Sequence, residues 1–307
     1  MAAVDGCSIC GAKARYFQRY SGRSFCGRCF TRSLRKRVRK EIRSNNLIKD
    51  GEHILFAVSG GKDSLACLDM VYDLEKKRNV DMAVLTIDEG IEGYRPDGIR
   101  AARKAAEERK LDFHLISFDN EFGIGLDSIL ERLGGIQKAC TYCGVLRRWI
   151  LNRYARELGA DRLVTGHNLD DETQSAMLNL IRGDPARLAR SGPEYLIMHP
   201  KFIPRVKPLR GIPGREILLY CLFRGLDVHT ATCPYSEYDM RNEVRSFLNR
   251  MEENRPTSKS SFLSTTNRLA SAIASRFEGT ELKECDNCGE PTTGRICKAC
   301  QLLKTIA

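Results

Sequence analysis

Residues 53–68 read His-Ile-Leu-Phe-Ala-Val-Ser-Gly-Gly-Lys-Asp-Ser-Leu-Ala-Cys-Leu, and this stretch decides the fold. The apolar run at 54–58 predicts a buried strand, and the apolar spacing after residue 64 predicts a helix. Gly60 and Gly61 allow a tight turn between the two. Unpaired backbone N–H groups and the positive end of the helix dipole would then face outward from that turn. The stretch therefore predicts a strand, an anion-binding loop and a helix, with phosphate as the expected anion.

The loop differs from the two common phosphate-binding patterns. It is shorter than GxxxxGK[ST] and lacks the spacing of GxGxxG. A plain Ser/Gly turn between a buried strand and a helix is the alternative interpretation. Because all six residues directly follow the strand, we favour phosphate binding by Ser59, Gly60, Gly61, Lys62, Asp63 and Ser64.

The charge balance indicates a polyanionic partner. The 307 residues carry a net charge of +11 with a pI near 9.1, which favours nucleic acid over an anionic membrane surface. The apolar runs are too short for a membrane span, and the N-terminus lacks a signal-peptide pattern. We therefore expect a cytoplasmic protein that does not bind membranes. Disulfides are rare there, so the 13 cysteines need explanation as metal ligands, reactive thiols or core residues.

Eight of the cysteines form doubled CxxC pairs near the two ends of the chain. Two such pairs at short separation bring four thiolates around one tetrahedral zinc. We expect two structural zinc sites, the first at Cys7, Cys10, Cys26 and Cys29, and the second at Cys285, Cys288, Cys297 and Cys300.

The middle of the chain alternates between strand and helix patterns. Strands are predicted at 54–58, 82–87, 113–117 and 162–165, and helices at 64–77, 97–110, 126–133, 145–158 and 170–181. Apolar strands that are each followed by a helix predict an α/β fold with a doubly wound parallel sheet. We expect four segments: a zinc ribbon at 1–30, a basic linker helix at 31–50, the catalytic domain at 51–253, and a linker with a second ribbon at 254–307.

Three further segments have distinct patterns. In the 30–43 helix, Leu34, Val38 and Ile42 form one stripe, while arginines lie on another face at Arg32, Arg35, Arg39 and Arg43. That face either contacts phosphates or is simply solvated. The proline-rich, basic segment 199–216 predicts an extended loop. A charged helix is expected at 239–251 with Val244, Phe247 and Leu248 inward, followed by a polar linker at 254–264.

Polar loops follow the second and fourth predicted strands. Ligands of doubly wound sheets bind beyond the carboxyl ends of the strands. We therefore add Asp88, Gly166 and His167 to the nucleotide-binding candidates, and Asp171 lies in the second of these loops. His167 read alone would be an ordinary hydrogen-bonded turn residue.

Three cysteines belong to neither zinc pattern. Cys140 and Cys143 form an isolated CxxC before the 145–158 helix, and Cys233 stands far downstream in Thr-Cys-Pro-Tyr. Three thiols without a fourth suggest a metal centre with an open position. Zinc with a histidine and a catalytic disulfide relay are the other interpretations. Cys67 and Cys221 lie among apolar residues and are expected in the core.

Together these motifs resemble the tRNA 2-thiouridine synthetases of the ATP pyrophosphatase superfamily. The resemblance rests on SGGKDS at 59–64, DEGIEGYR at 88–95, CTYCGVLRR at 140–148, TGHNLDDE at 165–172, RGDPARLAR at 182–190, the lone Cys233 and the two ribbons. It implies that ATP with Mg²⁺ adenylates the C2 oxygen of a tRNA uridine. It also implies a 4Fe-4S cluster on Cys140, Cys143 and Cys233, whose unligated iron carries the incoming sulfur. The catalytic candidates are Lys62, Asp63, Arg147 and Asp171; other members carry Lys or Arg at position 147.

DEGIEGYR and RGDPARLAR favour thiolation of the wobble uridine over the T-loop thymidine precursor. The resemblance is compatible with a ubiquitin-like carrier protein or free sulfide as sulfur donor, and with a homodimer. Two alternatives remain at this point. One is another tRNA-adenylating ATP pyrophosphatase, such as a lysidine synthetase, which needs no cysteine trio. The other is a zinc-ribbon RNA-binding protein whose nucleotide loop is regulatory.

Overall fold

A five-stranded parallel sheet forms the centre of the molecule. The computed structural model describes residues 6–189, 199–236, 241–277 and 282–306. The order of strands across the sheet is β5-β4-β3-β6-β7, all parallel. The strands of this sheet are β3 (His53–Ala57), β4 (Asp81–Asp88), β5 (Asp112–Ser117), β6 (Arg162–Thr165) and β7 (Arg205–Val206). Two small hairpins complete the described strands: β1 (Tyr16–Gln18) with β2 (Arg23–Phe25), and β8 (Lys283–Glu284) with β9 (Pro291–Thr292).

Helices flank the sheet and connect its strands. They are α1 (Gly27–Ser44), α2 (Lys62–Glu75), α3 (Arg95–Glu107), α4 (Phe118–Phe122), α5 (Leu126–Arg132), α6 (Ala139–Glu157), α7 (Leu169–Ile181), α8 (Pro185–Ala189), α9 (Gly214–Arg224), α10 (Arg241–Asn254), α11 (Ser258–Ala274) and α12 (Lys298–Lys304). None of these helices, nor any other helix in the described ranges, is both long and apolar enough to cross a bilayer.

The predicted α/β fold with a doubly wound parallel sheet is confirmed. Ile54, Leu55 and Phe56 of β3 are buried on both faces of the sheet, as the continuous apolar run predicts. The four predicted strands and five predicted helices are all present, and α6 begins six residues earlier than expected. The fifth strand, β7, was not predicted, because it has only two residues and lies in the proline-rich segment 199–216.

The first ribbon leads directly into α1. The predicted hydrophobic stripe of α1 is confirmed, since Leu34, Val38 and Ile42 are all buried. Arg35 does not face outward: its Nε donates to the Tyr220 hydroxyl at 2.9 Å, and its guanidinium pairs with Asp73. The predicted role of Arg35 in the basic face is therefore wrong. The exposed arginines of that face are Arg32, Arg39 and Arg43.

Two predictions for the segment after residue 238 are wrong. Phe247 does not point inward on α10 but is 45% exposed, while Val244 and Leu248 are buried. The expected linker at 254–264 is instead the start of α11. The buried face of α11 consists of Lys259, Leu263, Thr266, Ala270 and Ala274. Its spacing is helical, but only one of these residues is a large apolar side chain, so hydrophobic periodicity did not reveal the helix.

Candidate functional site

The site lies where the strand order reverses. The chain runs outward from β3 to β4 and β5, and then returns to place β6 on the other side of β3. A crevice opens at the carboxyl ends of the two strands that flank such a switch point. The loop after β3 and the start of α2 hold Ser59–Ser64, while the loop after β6 and the start of α7 hold Gly166–Asp171. The sheet thus brings both predicted loops to one edge.

The backbone of the 59–64 loop is tightly constrained. Gly60 has φ +85°, and a Cβ atom there would lie 2.0 Å from the carbonyl oxygen of Gly98. Gly61 is the N-cap of α2, and since glycine has no side chain it cannot cap the first N–H groups of this helix. The first N–H groups of α2 therefore face the crevice together with the positive end of the helix dipole. This is the geometry of a phosphate site.

Lys62 and Asp63 form an ion pair at the start of α2. Lys62 Nζ lies 2.7 and 2.6 Å from the two carboxylate oxygens of Asp63. Asn168 Nδ2 donates to the same carboxylate at 2.9 Å, which links the loop after β6 to the loop after β3. Gly166 allows this approach, because a Cβ atom there would lie 2.7 Å from the Asp63 carbonyl oxygen.

Asp171 and His167 line the crevice from the β6 side. Asp171 accepts the Asn168 N–H at 3.0 Å in a capping box. Burial raises the pKa of Asp171, so this carboxylate holds a proton more readily than an exposed one. His167 Nδ1 lies 2.9 Å from Thr165 Oγ1. Desolvation within the crevice, reinforced by Lys207, lowers the pKa of His167 to about 4. His167 is therefore neutral at physiological pH.

Glu89 and Arg95 are site residues that the sequence interpretation missed. Buried Arg95 donates to the carbonyl oxygens of Ser59 at 3.1 Å and Ile87 at 2.6 Å. Its Nε lies 2.6 Å from Glu89, and Arg147 contacts the other Glu89 oxygen at 3.4 Å. Two opposite charges in the DEGIEGYR loop were the available signal. Asp88, predicted to bind the nucleotide, accepts the Gly90 N–H at 2.9 Å and shapes this loop.

Two cavities meet at the site. The first, of about 340 Å³, lies between β3 and β6 and is lined by residues that include Ser59, Gly166, His167 and Arg147. The second, of about 830 Å³, lies at the N-terminal end of α2 and is lined by residues that include Lys62 and Cys233. Asp63 and Asp171 line both cavities. A molecule in one cavity can therefore meet a molecule in the other at these two carboxylates.

The three unassigned cysteines converge beside the second cavity. Cys143 and Cys233 pack against one hydrophobic cluster, and Cys140 Sγ lies 3.9 Å from the Tyr235 carbonyl oxygen, two residues after Cys233. Cys140 and Cys143 do not precede α6, as we expected, but lie within its first five residues. The backbone of His229 also contacts the phosphate loop: its N–H donates to Gly60 O at 2.9 Å, and His229 forms a parallel bridge with Gly61.

The comparisons with known proteins agree with this geometry. A PP-loop domain model matches residues 31–252, and the model of the N-terminal LIM domain of the 2-thiouridine synthetase TtuA matches residues 7–31. The tRNA 2-thiolation protein NcsA of Haloferax volcanii is 36% identical, over 98% of each chain. The cytoplasmic tRNA 2-thiolation protein 1 of Caenorhabditis briggsae is 33% identical, over 97% of this chain and 79% of its own.

This chain belongs to the PP-loop tRNA 2-thiolation family. A solved structure in the family, the U34-tRNA thiolase NcsA from Methanococcus maripaludis with its [4Fe-4S] cluster, superposes with a TM-score of 0.83 and 36% identity. That match covers 99% of this chain and 97% of the other.

In this tRNA 2-thiolation family member, both predicted zinc sites have the required geometry. The Sγ atoms of Cys7, Cys10, Cys26 and Cys29 all lie within 4.8 Å of one another, as do those of Cys285, Cys288, Cys297 and Cys300. A tetrahedral ion with bonds of about 2.3 Å separates its sulfur ligands by about 3.8 Å. The Sγ atoms of Cys10 and Cys26 lie 3.7 Å apart, and those of Cys288 and Cys297 lie 3.6 Å apart. Each set fits one zinc ion.

Proposed function

We propose that this protein uses ATP to replace the C2 oxygen of the wobble uridine, U34, of tRNA with sulfur. One observation carries the proposal: Cys233, the distant member of the cysteine trio, lines the same cavity as Lys62 of the phosphate loop. An adenylating enzyme that transfers an amine has no use for thiols at this position. A tRNA thiolase needs a sulfur-delivering centre next to the adenylated base.

The cysteine trio suits an iron–sulfur cluster better than a single ion. Among the residues that the structure describes, only the two terminal sets bring their thiols within 4.8 Å of one another. A 4Fe-4S cluster binds each cysteine through a different iron and does not require such close thiols. Burial raises the pKa of Cys143 to about 11, so a bound metal would have to displace its proton. Cys140, Cys143 and Cys233 would hold the cluster in this protein.

The phosphate loop and the residues around the first cavity suit ATP with Mg²⁺. The backbone N–H groups of the 59–64 loop would bind the β and γ phosphates, and Lys62 and Arg147 would neutralise the charge that develops as pyrophosphate leaves. Asp63, a carboxylate already facing a cation, would hold Mg²⁺. Gly166 and neutral His167 would border the nucleotide, while Arg95 and Glu89 fix the loops around it.

The second cavity suits the target uridine. Its C2 oxygen would meet the α phosphate where the two cavities share Asp63 and Asp171. Asp171 would orient the base there, and the pKa that burial raises suits this carboxyl group to hold a proton more readily than an exposed one. Transfer of AMP to the oxygen makes it a better leaving group. When bound, the cluster supplies the iron site through which sulfur reaches C2.

The remaining partners follow from the same chemistry and from family membership. We expect the sulfur to come from a ubiquitin-like carrier protein with a C-terminal thiocarboxylate or from free sulfide. We also propose that the protein works as a homodimer in the cytoplasm, where its tRNA substrate is available. Its net charge of +11 suits a polyanionic substrate.

The test compares tRNA from cells that contain the wild-type protein, no protein, or a single variant. Nuclease digestion and mass spectrometry locate 2-thiouridine in each sample. We expect 2-thiouridine at position 34 with the wild type and none with Cys233→Ala. Cys221→Ala, a thiol that is buried in the core, is the matched control and should retain thiolation. Full thiolation by Cys233→Ala would refute the proposal.

A further inference from the structure

Helix α6 carries two of the cluster cysteines near its N-terminus. The helix begins at Ala139, so Cys140 and Cys143 lie within its first five residues. Lys138 is the N-cap and provides no side-chain cap, but three N–H groups of the first turn donate to the carbonyl oxygens of residues 136 and 138. These backbone bonds hold the start of the helix but do not decide where its side chains point. The positions of the two thiols therefore depend on how α6 packs against the rest of the fold.

The second zinc ribbon packs against Tyr142, one of the two residues between the cysteines. Tyr142 is 2% exposed, and its hydroxyl lies 2.6 Å from Thr305 Oγ1, just after α12. Tyr142 also packs in one hydrophobic cluster with Leu302, Ile306 and three ligands of the second zinc site, Cys285, Cys297 and Cys300. Tyr142 thus anchors the first turn of α6 to the ribbon.

The same ribbon holds the later turns of α6. Trp149 Nε1 donates to Sγ of the zinc ligand Cys288 at 3.5 Å. Asn152 Nδ2 donates at 2.9 Å to Glu290, a buried carboxylate that also pairs with Arg156. These contacts fix the axis and rotation of α6 relative to the ribbon. The rotation of a helix determines where its first-turn side chains point.

We propose that the C-terminal zinc ribbon is the positioning element for Cys140 and Cys143, and that zinc must fold this ribbon before the iron–sulfur cluster can bind stably. The inference rests on the proposed function, because it presupposes the cluster. A ribbon of this size folds only with its metal, since zinc-binding free energy is its folding free energy. Without zinc, Tyr142 loses its partner surface, and the CxxC turn loses its fixed geometry.

The first zinc ribbon provides a natural comparison. It has the same four-cysteine chemistry, but it packs elsewhere: Cys7 and Cys29 lie in the hydrophobic cluster that contains α1 and α9. Phe30, next to Cys29, packs edge-to-face on Phe223 of α9 at 5.7 Å between ring centroids. Loss of zinc from the first ribbon should therefore leave α6 unchanged.

The first experiment removes one zinc site at a time. The double variants Cys285→Ser/Cys288→Ser and Cys7→Ser/Cys10→Ser are purified anaerobically beside the wild type, and zinc, iron and sulfide are measured per chain after cluster reconstitution. Each variant should lose about one zinc, by the ligand count of such sites. Iron should fall to below about half of the wild-type amount only in the C-terminal variant. ATP binding, measured by calorimetry, reports that the PP-loop domain is folded.

The second experiment leaves all metal ligands in place. Tyr142→Phe removes only the hydroxyl that bonds to Thr305, and Tyr154→Phe is its control on the same helix, since the Tyr154 hydroxyl bonds to Glu121 instead. The reconstituted proteins are mixed with an iron chelator, and cluster loss is followed by visible absorbance. We expect about five-fold faster loss for Tyr142→Phe, which corresponds to about 1 kcal/mol for one hydrogen bond. Tyr154→Phe should match the wild type.

The outcomes separate this inference from the proposed function. A wild-type protein that takes up no cluster overturns the cluster assignment and the inference with it. If the wild type binds the cluster, two results together overturn the inference and leave the proposed function standing. The C-terminal zinc variant keeps its iron, and Tyr142→Phe loses its cluster at the wild-type rate. Equal iron loss from both zinc variants also overturns it, because the effect would then not belong to the C-terminal ribbon.

Discussion

Single residues at the carboxyl edge of the sheet determine whether the two loops can approach each other. Gly60 and Gly166 are the clearest examples, since a Cβ atom at either would overlap backbone of a neighbouring segment. Motifs predicted both positions as site residues. They could not predict which neighbouring residues leave no room for a side chain there. Gly98 lies on α3, and Asp63, which Gly166 approaches, lies on α2, so the steric reason appears only in three dimensions.

Replacing Gly60 by alanine should abolish ATP binding and destabilise the fold. The new Cβ would collide with the Gly98 carbonyl in addition to straining a φ of +85°. Gly51→Ala is the matched control, because Gly51 has φ +82° but open space around it. We expect Gly51→Ala to cost about 1–2 kcal/mol in unfolding free energy and to keep ATP binding. Urea unfolding and calorimetry measure both; equal effects from the two variants would contradict the steric explanation.

His167 should make stability depend on pH in the acidic range. Its folded pKa of about 4 lies below its ordinary value of 6.5, so between these values the unfolded chain binds a proton that the native protein does not. Unfolding free energy should therefore fall as pH drops from 6.5 to 4. His167 is exposed to solvent at the crevice, so solvent screening should reduce the loss to about 1 kcal/mol.

The variant His167→Gln isolates this effect. Zinc release at low pH weakens both proteins alike, so the difference between their unfolding free energies at each pH reports the histidine. That difference should shift in favour of the glutamine variant as pH falls, as measured by urea unfolding in steps from pH 7 to 4. A difference that does not change with pH would contradict the lowered pKa.

At the level of elements, the sequence predicted long, strongly periodic segments well and irregular ones poorly. Strands β3 and β4 have continuous apolar runs, and the alternation of strand and helix patterns along the chain was enough to predict the sheet. Strand β7 has two residues and gave no such signal. Helix α11 was missed because its buried face contains Lys259 and Thr266 instead of large apolar residues. Tertiary contacts, not local hydrophobicity, define that helix.

Lys259 makes several of those contacts. Its side chain is 7% exposed, and its ammonium group pairs with Asp170 at the start of α7 and donates to Asn249 on α10. Lys259→Met should destabilise the protein by about 2 kcal/mol, because it leaves the Asp170 carboxylate, which is 23% exposed, with the Gly214 N–H as its remaining partner. Lys36→Met, on the exposed side of α1, should change unfolding free energy by less than about 0.5 kcal/mol.

A double-mutant cycle identifies the cause of the Lys259 effect. If the unpaired Asp170 is responsible, Asp170→Asn should recover part of the loss when it is combined with Lys259→Met, since a neutral amide is cheaper to bury than a charge. Urea unfolding gives all four free energies. Additive losses in the double variant would show that Lys259 acts through packing alone.

At the scale of the whole molecule, three separate parts of the chain surround the second cavity. Arg19 comes from the first ribbon, Arg215 from α9 and Arg245 from α10, and all three are exposed at its rim. Motifs predicted the phosphate loop, the cysteine trio and the ribbons one by one. They did not predict that the first ribbon would reach the second cavity, because that depends on how α1 packs against α9.

These arginines should contribute to tRNA binding through phosphates. Arg19→Ala and Arg245→Ala should each weaken tRNA binding. Each should also reduce the steepness with which the logarithm of the association constant falls with the logarithm of salt concentration by about 0.7–0.9, the value for one phosphate contact. Arg78→Ala is the control: Arg78 pairs with Asp50 and Glu75 near the start of β4, at the opposite edge of the sheet. Filter binding over a range of salt concentrations measures the slopes. Unchanged slopes for both rim variants would place the tRNA elsewhere.

The contact between His229 and the Gly60–Gly61 turn has a consequence for protein engineering. His229 lies four residues before Cys233, and its backbone lies against the Gly60–Gly61 turn. The Cys233 thiol and the phosphate loop are therefore held by the same contact between two distant parts of the chain. A chimera that exchanges sequence between relatives at a single crossover between positions 62 and 228 would combine a turn from one parent with an abutting segment from the other. Grafts that transplant both pieces together should retain function far more often than single-junction hybrids.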